Sequence, residues 1–321
     1  MSVTDIALNN LTSIAVLAFF LGVFGSRIKS NLQLPDAVYQ FISMYLLFGI
    51  GLKGGMKLDS TDFGQLSKPL VATIILGIAI PFVAFVVLRV MTKIDELNRG
   101  AIAAHYGSTS LVTFTAALVF LESNNISYDG YATTLLTVME IPGLVVGIYL
   151  GSRHLQRGVS WTESLKEIIF GKTVLLLAGG LVVGAISGEK GYKTVSPFFD
   201  DLKQGLLGLF LLHLGYLAGS QLKQIKQAGA LYVVFAVLFP VLAGTVGVFT
   251  AHLTGMNVGG ALLFGVLCAS ASYIAAPAAV SIALPDASKS LPIVASLGVT
   301  FPFNLIVGIP YLYWLAQQIG L

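Results

Sequence analysis

The chain has 321 residues, 56% of them hydrophobic and 10% charged, with a net charge of +3 and a mean hydropathy of +0.87. Soluble domains carry about a quarter charged residues, so this composition belongs in a membrane, and no basic patch with interleaved aromatics offers a nucleic-acid surface. Cys268 is the single cysteine, which excludes an internal disulfide and a cysteine-rich metal site.

Charge-free runs of roughly 20 residues mark membrane spans. The first, 6–26, is too long for the core of a signal peptide and no Lys or Arg precedes it, so it reads as span 1. Spans 2 to 7 follow at 37–52, 69–88, 100–121, 130–152, 173–188 and 204–222, the fifth interrupted only by Glu140. The run 227–285 holds two spans that turn around His252–Asn257, and 290–321 supplies the tenth. Loops after odd-numbered spans hold twelve Lys and Arg; those after even-numbered spans hold six. The positive-inside bias therefore makes the odd loops cytoplasmic and leaves both termini outside. The expected fold is all-α: a polytopic membrane protein with ten transmembrane helices.

The two halves match in order. Gly51, Gly55 and Leu58 at the end of span 2 pair with Gly215, Gly219 and Leu222 at the end of span 7. Pro81 pairs with Pro240, Pro142 with Pro302, and Ser108 and Ser110 with Ser270 and Ser272, all at offsets near 160. An odd number of spans per half gives the copies opposite topology. Residues 1–155 and 156–321 thus form two five-helix inverted repeats, an architecture of secondary transporters.

Two spans carry interrupting residues. Span 4 has Gly107-Ser108-Thr109-Ser110 at its middle, and span 9 has "CASASYIAAPAAV" at 268–280. Pro277 lacks an N–H and disfavours helix at Ala276, so both spans 4 and 9 should be broken, with Gly107 to Ser110 unwound. Such breaks would expose half-helix N-termini, which attract anions, and half-helix C-termini suited to a dehydrated cation. Close packing of small residues would also account for either motif alone.

Glu140 is the acidic residue that lies mid-span, beside Pro142, and it suits an oxygen ligand for sodium. A protonated glutamate or an ion-pair partner would equally place a carboxyl there. Thr300 and Asn304, around Pro302, offer neutral oxygens, or interhelical hydrogen bonds. His105 is read as a satisfied helix histidine, and no His and carboxylate pair has metal-ligand spacing. A Ser108–His105 nucleophile and base keeps an intramembrane hydrolase as the reading from another class.

The strings "AIAAHYGSTSLVTF", "MEIPG", "ASASYIAAPAAV", "ALPDAS" and "VTFPFN…GIP" resemble the sodium-dependent bicarbonate permease family, best known from photosynthetic bacteria that concentrate inorganic carbon. The resemblance implies a homotrimer in the bacterial cytoplasmic membrane that imports bicarbonate by sodium symport, with no cofactor beyond the coupling ion. Spans 3–5 and 8–10 would form a core and spans 1, 2, 6 and 7 a gate. It implies a bicarbonate site at Gly107, Ser108, Thr109, Ser110, Ser270, Ala271, Ser272 and Tyr273. Sodium would be held among Ser108, Ser110, Glu140, Ser272, Thr300 and Asn304. A PII-like regulatory protein would bind the cytoplasmic face, although the loop 153–172 is short for it and Ser281 stands where a basic residue is expected. Another small organic anion is the alternative cargo for the same architecture.

Overall fold

The computed structural model describes residue 8 and residues 10–58, 61, 63–153 and 160–319. The repeat boundary at 155/156, the start of span 1, Arg157 and the last two residues lie outside that set. No strand occurs among the described residues.

Helices α1 (Ile14–Arg27), α2 (Asp36–Leu58) and α3 (Phe63–Met91) open the chain. Span 4 is divided into α4 (Glu96–Gly107) and α5 (Leu111–Ser123), and α6 is Ala132–Ser152. A short amphipathic helix, α7 (Trp161–Phe170), precedes α8 (Lys172–Ser196), α9 (Lys203–Ser220) and the six-residue α10 (Leu222–Gln227). The chain continues with α11 (Ala230–Leu253), α12 (Val258–Ala269), α13 (Ala275–Ala283) and α14 (Ser290–Gln318). Among the described residues, seven helical stretches are long and apolar enough to cross a membrane, and α1 and α12 are shorter apolar helices.

Several helices outrun the charge-free stretches, because a lysine at a helix end reaches past the hydrocarbon with its long stem. Helix α2 continues through Lys53 and Lys57, and α3 begins before Lys68. The sixth charge-free run stops at Gly188, where α8 kinks through a left-handed conformation (φ 59°, ψ −168°) that glycine adopts without strain. The segment of α7 reads as loop in the sequence but is helical; Ser164 and Ile168 are its buried residues, and it packs on α13.

Glycine seams fix the helix pairs. Helix α2 lies along α8, with Gly51 facing Gly180 and Gly55 facing the Leu181 carbonyl; α1 lies along α9, with Gly22 on the Leu212 carbonyl and Gly215 on that of Phe19. A third seam sets α4 on α6: Gly100 meets Gly151, Ala104 meets Gly147, and Gly107 meets Gly143. With no gain from hiding apolar surface inside lipid, such close backbone approach is what holds membrane helices together.

Contacts between connections collect at two faces. On one, Lys53 of α2 reaches Glu122 and Asp200, and Asp129 Oδ2 accepts the Asn257 N–H at 3.0 Å. On the other, Asn98 Oδ1 accepts the Ser288 N–H at 2.7 Å.

Two glycines of α8 give a test. A Cβ at Gly179 would meet nothing within 4 Å, whereas one at Gly184 would strike the Leu52 carbonyl. Gly179→Ala should hold or raise the melting temperature, since alanine is favoured in a helix by up to about 1 kcal/mol. Gly184→Ala should lower it, with an overpacking cost of about 1–3 kcal/mol. Thermal unfolding of the purified protein in detergent reads both.

Candidate functional site

The first break spans Ser108 to Ser110. Ser108 (φ −94°, ψ 141°) caps the C-terminus of α4 in extended conformation, its N–H donating to Ala104 O at 3.1 Å. Ser110 (φ −102°, ψ 109°) is the N-cap of α5, its Oγ accepting the Thr113 N–H at 3.3 Å. The backbone is therefore open at three residues, not four: Gly107 remains the last residue of α4, pinned against Gly143 and Pro81.

The second break spans Ser270 to Ile274. Ser270 (φ −89°, ψ 163°) closes α12, and Ser272 Oγ accepts the Ala275 and Ala276 N–H groups at 3.3 and 3.2 Å at the start of α13. Although Pro277 disfavours helix at Ala276, Ala276 is helical. Pro277 is the third residue of α13, where its missing N–H has no intrahelical acceptor to lose. The serines before it end α12.

The breaks bond to each other. The Ser272 N–H donates to His105 O at 2.7 Å and to Ser108 O at 3.1 Å, and the Ser110 N–H donates to Ser270 Oγ at 2.9 Å. Carbonyls orphaned at the end of α4 thus find a donor in the opposite break. Residues 99–118, which enclose the break, are all buried, the condition under which non-helical backbone survives at membrane depth.

Glu140, on α6, is 1% exposed and faces the first break. It accepts from Ser108 Oγ at 2.5 Å through Oε2 and from Thr109 Oγ1 at 3.0 Å through Oε1. Thr109, Ser110, Glu140, Ser272 and Tyr273 line one narrow cleft together with Leu47 of α2 and Thr173 of α8. Ala271 is buried beside them, and the Tyr273 ring packs edge-on against Phe301 at 5.4 Å.

Thr300 and Asn304 stand apart from that carboxylate, in α14. The helix widens into π turns at Ser296–Thr300 and Asn304–Gly308, on either side of Pro302. Thr300 Oγ1 donates to Ala236 O at 2.6 Å and accepts from the Tyr106 hydroxyl at 2.6 Å. Ala236 O is the carbonyl that Pro240, four residues on, leaves without an N–H, so this hydroxyl repairs a proline defect. Asn304 Nδ2 donates to Ala269 O, the last carbonyl of α12, at 2.8 Å, while its buried Oδ1 has no hydrogen-bond partner.

The residues can do two things chemically. First-turn N–H groups of α5 and α13 present partial positive charge to an anion. The carboxylate of Glu140 beside the C-terminal end of α4 favours a cation. A Ser108–His105 pair does not form: Ser108 donates to Glu140, and His105 Nδ1 pairs with Ala101 O at 2.8 Å within its own helix. No group of three or more metal-ligating His, Cys, Asp or Glu side chains occurs among the described residues. Residues that sequence reasoning passed over are Leu47 and Thr173, which carry no polarity signal or sit at a helix end.

Ser270→Ala should destabilise the protein by about 1–3 kcal/mol, because the Ser110 N–H is left buried without an acceptor. Ser296→Ala, where the hydroxyl only returns to Pro292 O of its own helix, should be nearly silent. The pair is read by melting temperature.

Among curated proteins, none matches the chain significantly. The family model described as the Na+-dependent bicarbonate transporter superfamily matches residues 15–317, a range that takes in both breaks, Glu140 and every helix around them. The resemblance seen in the motifs is thereby placed on nearly the whole chain, which belongs to the Na+-dependent bicarbonate transporter superfamily.

Proposed function

We propose that the protein is a ten-pass symporter that carries bicarbonate inward with sodium through the crossing of the two broken helices. The observation that carries this reading is the pair of cross-bonded breaks beside buried Glu140. One element offers backbone donors to an anion, and the other offers a carboxylate to a cation.

The packing supports an inverted repeat of residues 1–155 and 156–321. Span 2 seats span 6 through Gly51 and Gly55, and the repeat-related Gly215 and Gly219 of span 7 seat span 1. Helices α1, α2, α8 and α9 then form the gate, and α3–α6 with α11–α14 form the core. Connections after even-numbered spans gather at one face, as ten passes require, and the Lys and Arg bias makes that face external. The family resemblance adds a homotrimer in a bacterial cytoplasmic membrane. A PII-like regulator would meet the opposite face, where α7 occupies the short connection.

Bicarbonate would sit against Gly107–Ser110 and Ser270–Tyr273, with sodium near Glu140, Ser108, Ser110 and Ser272. Thr300 and Asn304 hold the second half of the site by tying α14 to α11 and α12. A helix terminus stabilises an anion by at most about 2 kcal/mol, so two termini alone bind weakly. A neighbouring sodium ion adds attraction and makes anion affinity depend on sodium, which is the coupling that symport needs. Sliding of the core against the gate would alternate access.

Labelled bicarbonate uptake into proteoliposomes tests the reading. Uptake should require an inward sodium gradient; uptake indifferent to sodium would sink it. Glu140→Gln should cut the sodium response on the order of tenfold, the scale of a lost charge-assisted contact, and an unchanged response would remove Glu140 from the cation site. Competition by short carboxylates without uptake of bicarbonate would reassign the cargo to an organic anion.

A further inference from the structure

A second cluster of charge lies about three helix turns along α5 from the crossing. Glu122, in the last turn of α5, accepts from Lys53 Nζ at 3.1 Å through Oε1 and from Lys203 Nζ at 2.6 Å through Oε2. The Tyr128 hydroxyl is a third donor to Oε1, at 3.4 Å. Asp200 pairs with Lys53 at 2.7 Å and lies 4.0 Å from Lys203, and the Lys57 ammonium stands 3.8 Å over the Tyr128 ring. The side chain of Lys203 is 7% exposed and that of Glu122 26%.

Two features set this cluster apart from an ordinary surface ion pair. Glu122 stands at the C-terminal end of α5, where the helix dipole disfavours a carboxylate, so the lysines and not its own helix hold its charge. The lysines belong to α2 and α9 and the carboxylate to α5, so both bonds cross the seam between gate and core. A small pocket opens within the cluster, lined by Lys53, Lys203, Asp200, Tyr128, Leu118 and Thr133. Thr133 precedes Glu140 by two turns of α6, roughly 10 Å of helix rise.

We infer that Lys53 and Lys203 form an outer receiving site for a small planar oxyanion, and that Glu122 occupies it while this face is closed. The inference rests on the transport reading above. A glutamate carboxylate and a bicarbonate ion each present two oxygens in one plane to two ammonium groups, so Glu122 is a tethered version of the ligand. Withdrawal of α5 without an anion would strand a buried lysine with one distant carboxylate, which is costly. With an oxyanion at hand one pair replaces another, and opening becomes favourable where cargo is present.

The test uses the full-length protein in proteoliposomes, with Cys268→Ala and a reporter cysteine at Thr133→Cys, labelled by a membrane-impermeant maleimide from the Lys53 face. Bicarbonate should speed labelling several-fold, and chloride should not. Glu122→Gln, close to isosteric, should speed labelling without any anion. Lys53→Gln and Lys203→Gln should abolish the bicarbonate response and raise the half-saturating external bicarbonate for uptake on the order of tenfold. Formate acting where bicarbonate does not would identify the ligand as a carboxylate and overturn bicarbonate as the received ion. Labelling indifferent to both oxyanions, with half-saturation unchanged in the lysine variants, would overturn the receiving site while sodium-driven uptake kept the transport reading alive. Loss of sodium-driven uptake in the parent, with labelling still responsive to bicarbonate, would instead sink the transport reading and leave the receiving site standing.

Discussion

A polar backbone group at the centre of a membrane must find a partner inside the protein, and the rest of this molecule is arranged around meeting that demand at two broken helices. The Ser272 N–H answers the His105 and Ser108 carbonyls, and Ser270 Oγ answers the Ser110 N–H. Each break therefore supplies hydrogen-bond partners that the other needs. That reciprocity fixes the two half-helix ends close together, and under the proposed function their nearness would let a cation and an anion be felt in one place.

The glycine seams follow from the same demand. For α4 to end beside α6, its backbone must approach at Gly107 and Gly143 with no side chain between them. That contact brings Glu140, three residues before Gly143 on α6, under Ser108 and Thr109. Helices α2–α8 and α1–α9 are zipped in the same way. In the proposed transport cycle these pairs would move as bodies against the cross-bonded core. The lysine and glutamate cluster joins α2, α5 and α9 across that boundary.

Much of the site was legible because it breaks a rule of composition. Three hydroxyls and a glycine in mid-span, a carboxylate between apolar neighbours, and prolines at matching offsets are all anomalies in lipid. The break positions were legible too, but their edges were not. Gly107 stays helical because Gly143 holds it, and Ala276 is helical because Pro277 falls in the first turn, both matters of tertiary position. Thr300 reads as a cation ligand, but that its hydroxyl also serves the carbonyl freed by Pro240 on another helix is visible only in the packing. The ion cluster left no trace in sequence, since Lys53, Glu122, Asp200 and Lys203 meet only when helices extend past their charge-free runs. Amphipathic α7 was hidden by the charges that made its segment look like loop.

The central claim is that the crossing binds a cation and an anion that favour one another, and linkage makes that claim measurable without transport. Calorimetric titration of the detergent-purified protein would give bicarbonate affinity in sodium and in potassium, and sodium affinity with and without bicarbonate. The account predicts that each ion tightens the other by the same factor, and that Glu140→Gln abolishes the effect. Bicarbonate binding of equal strength in sodium and potassium would contradict it.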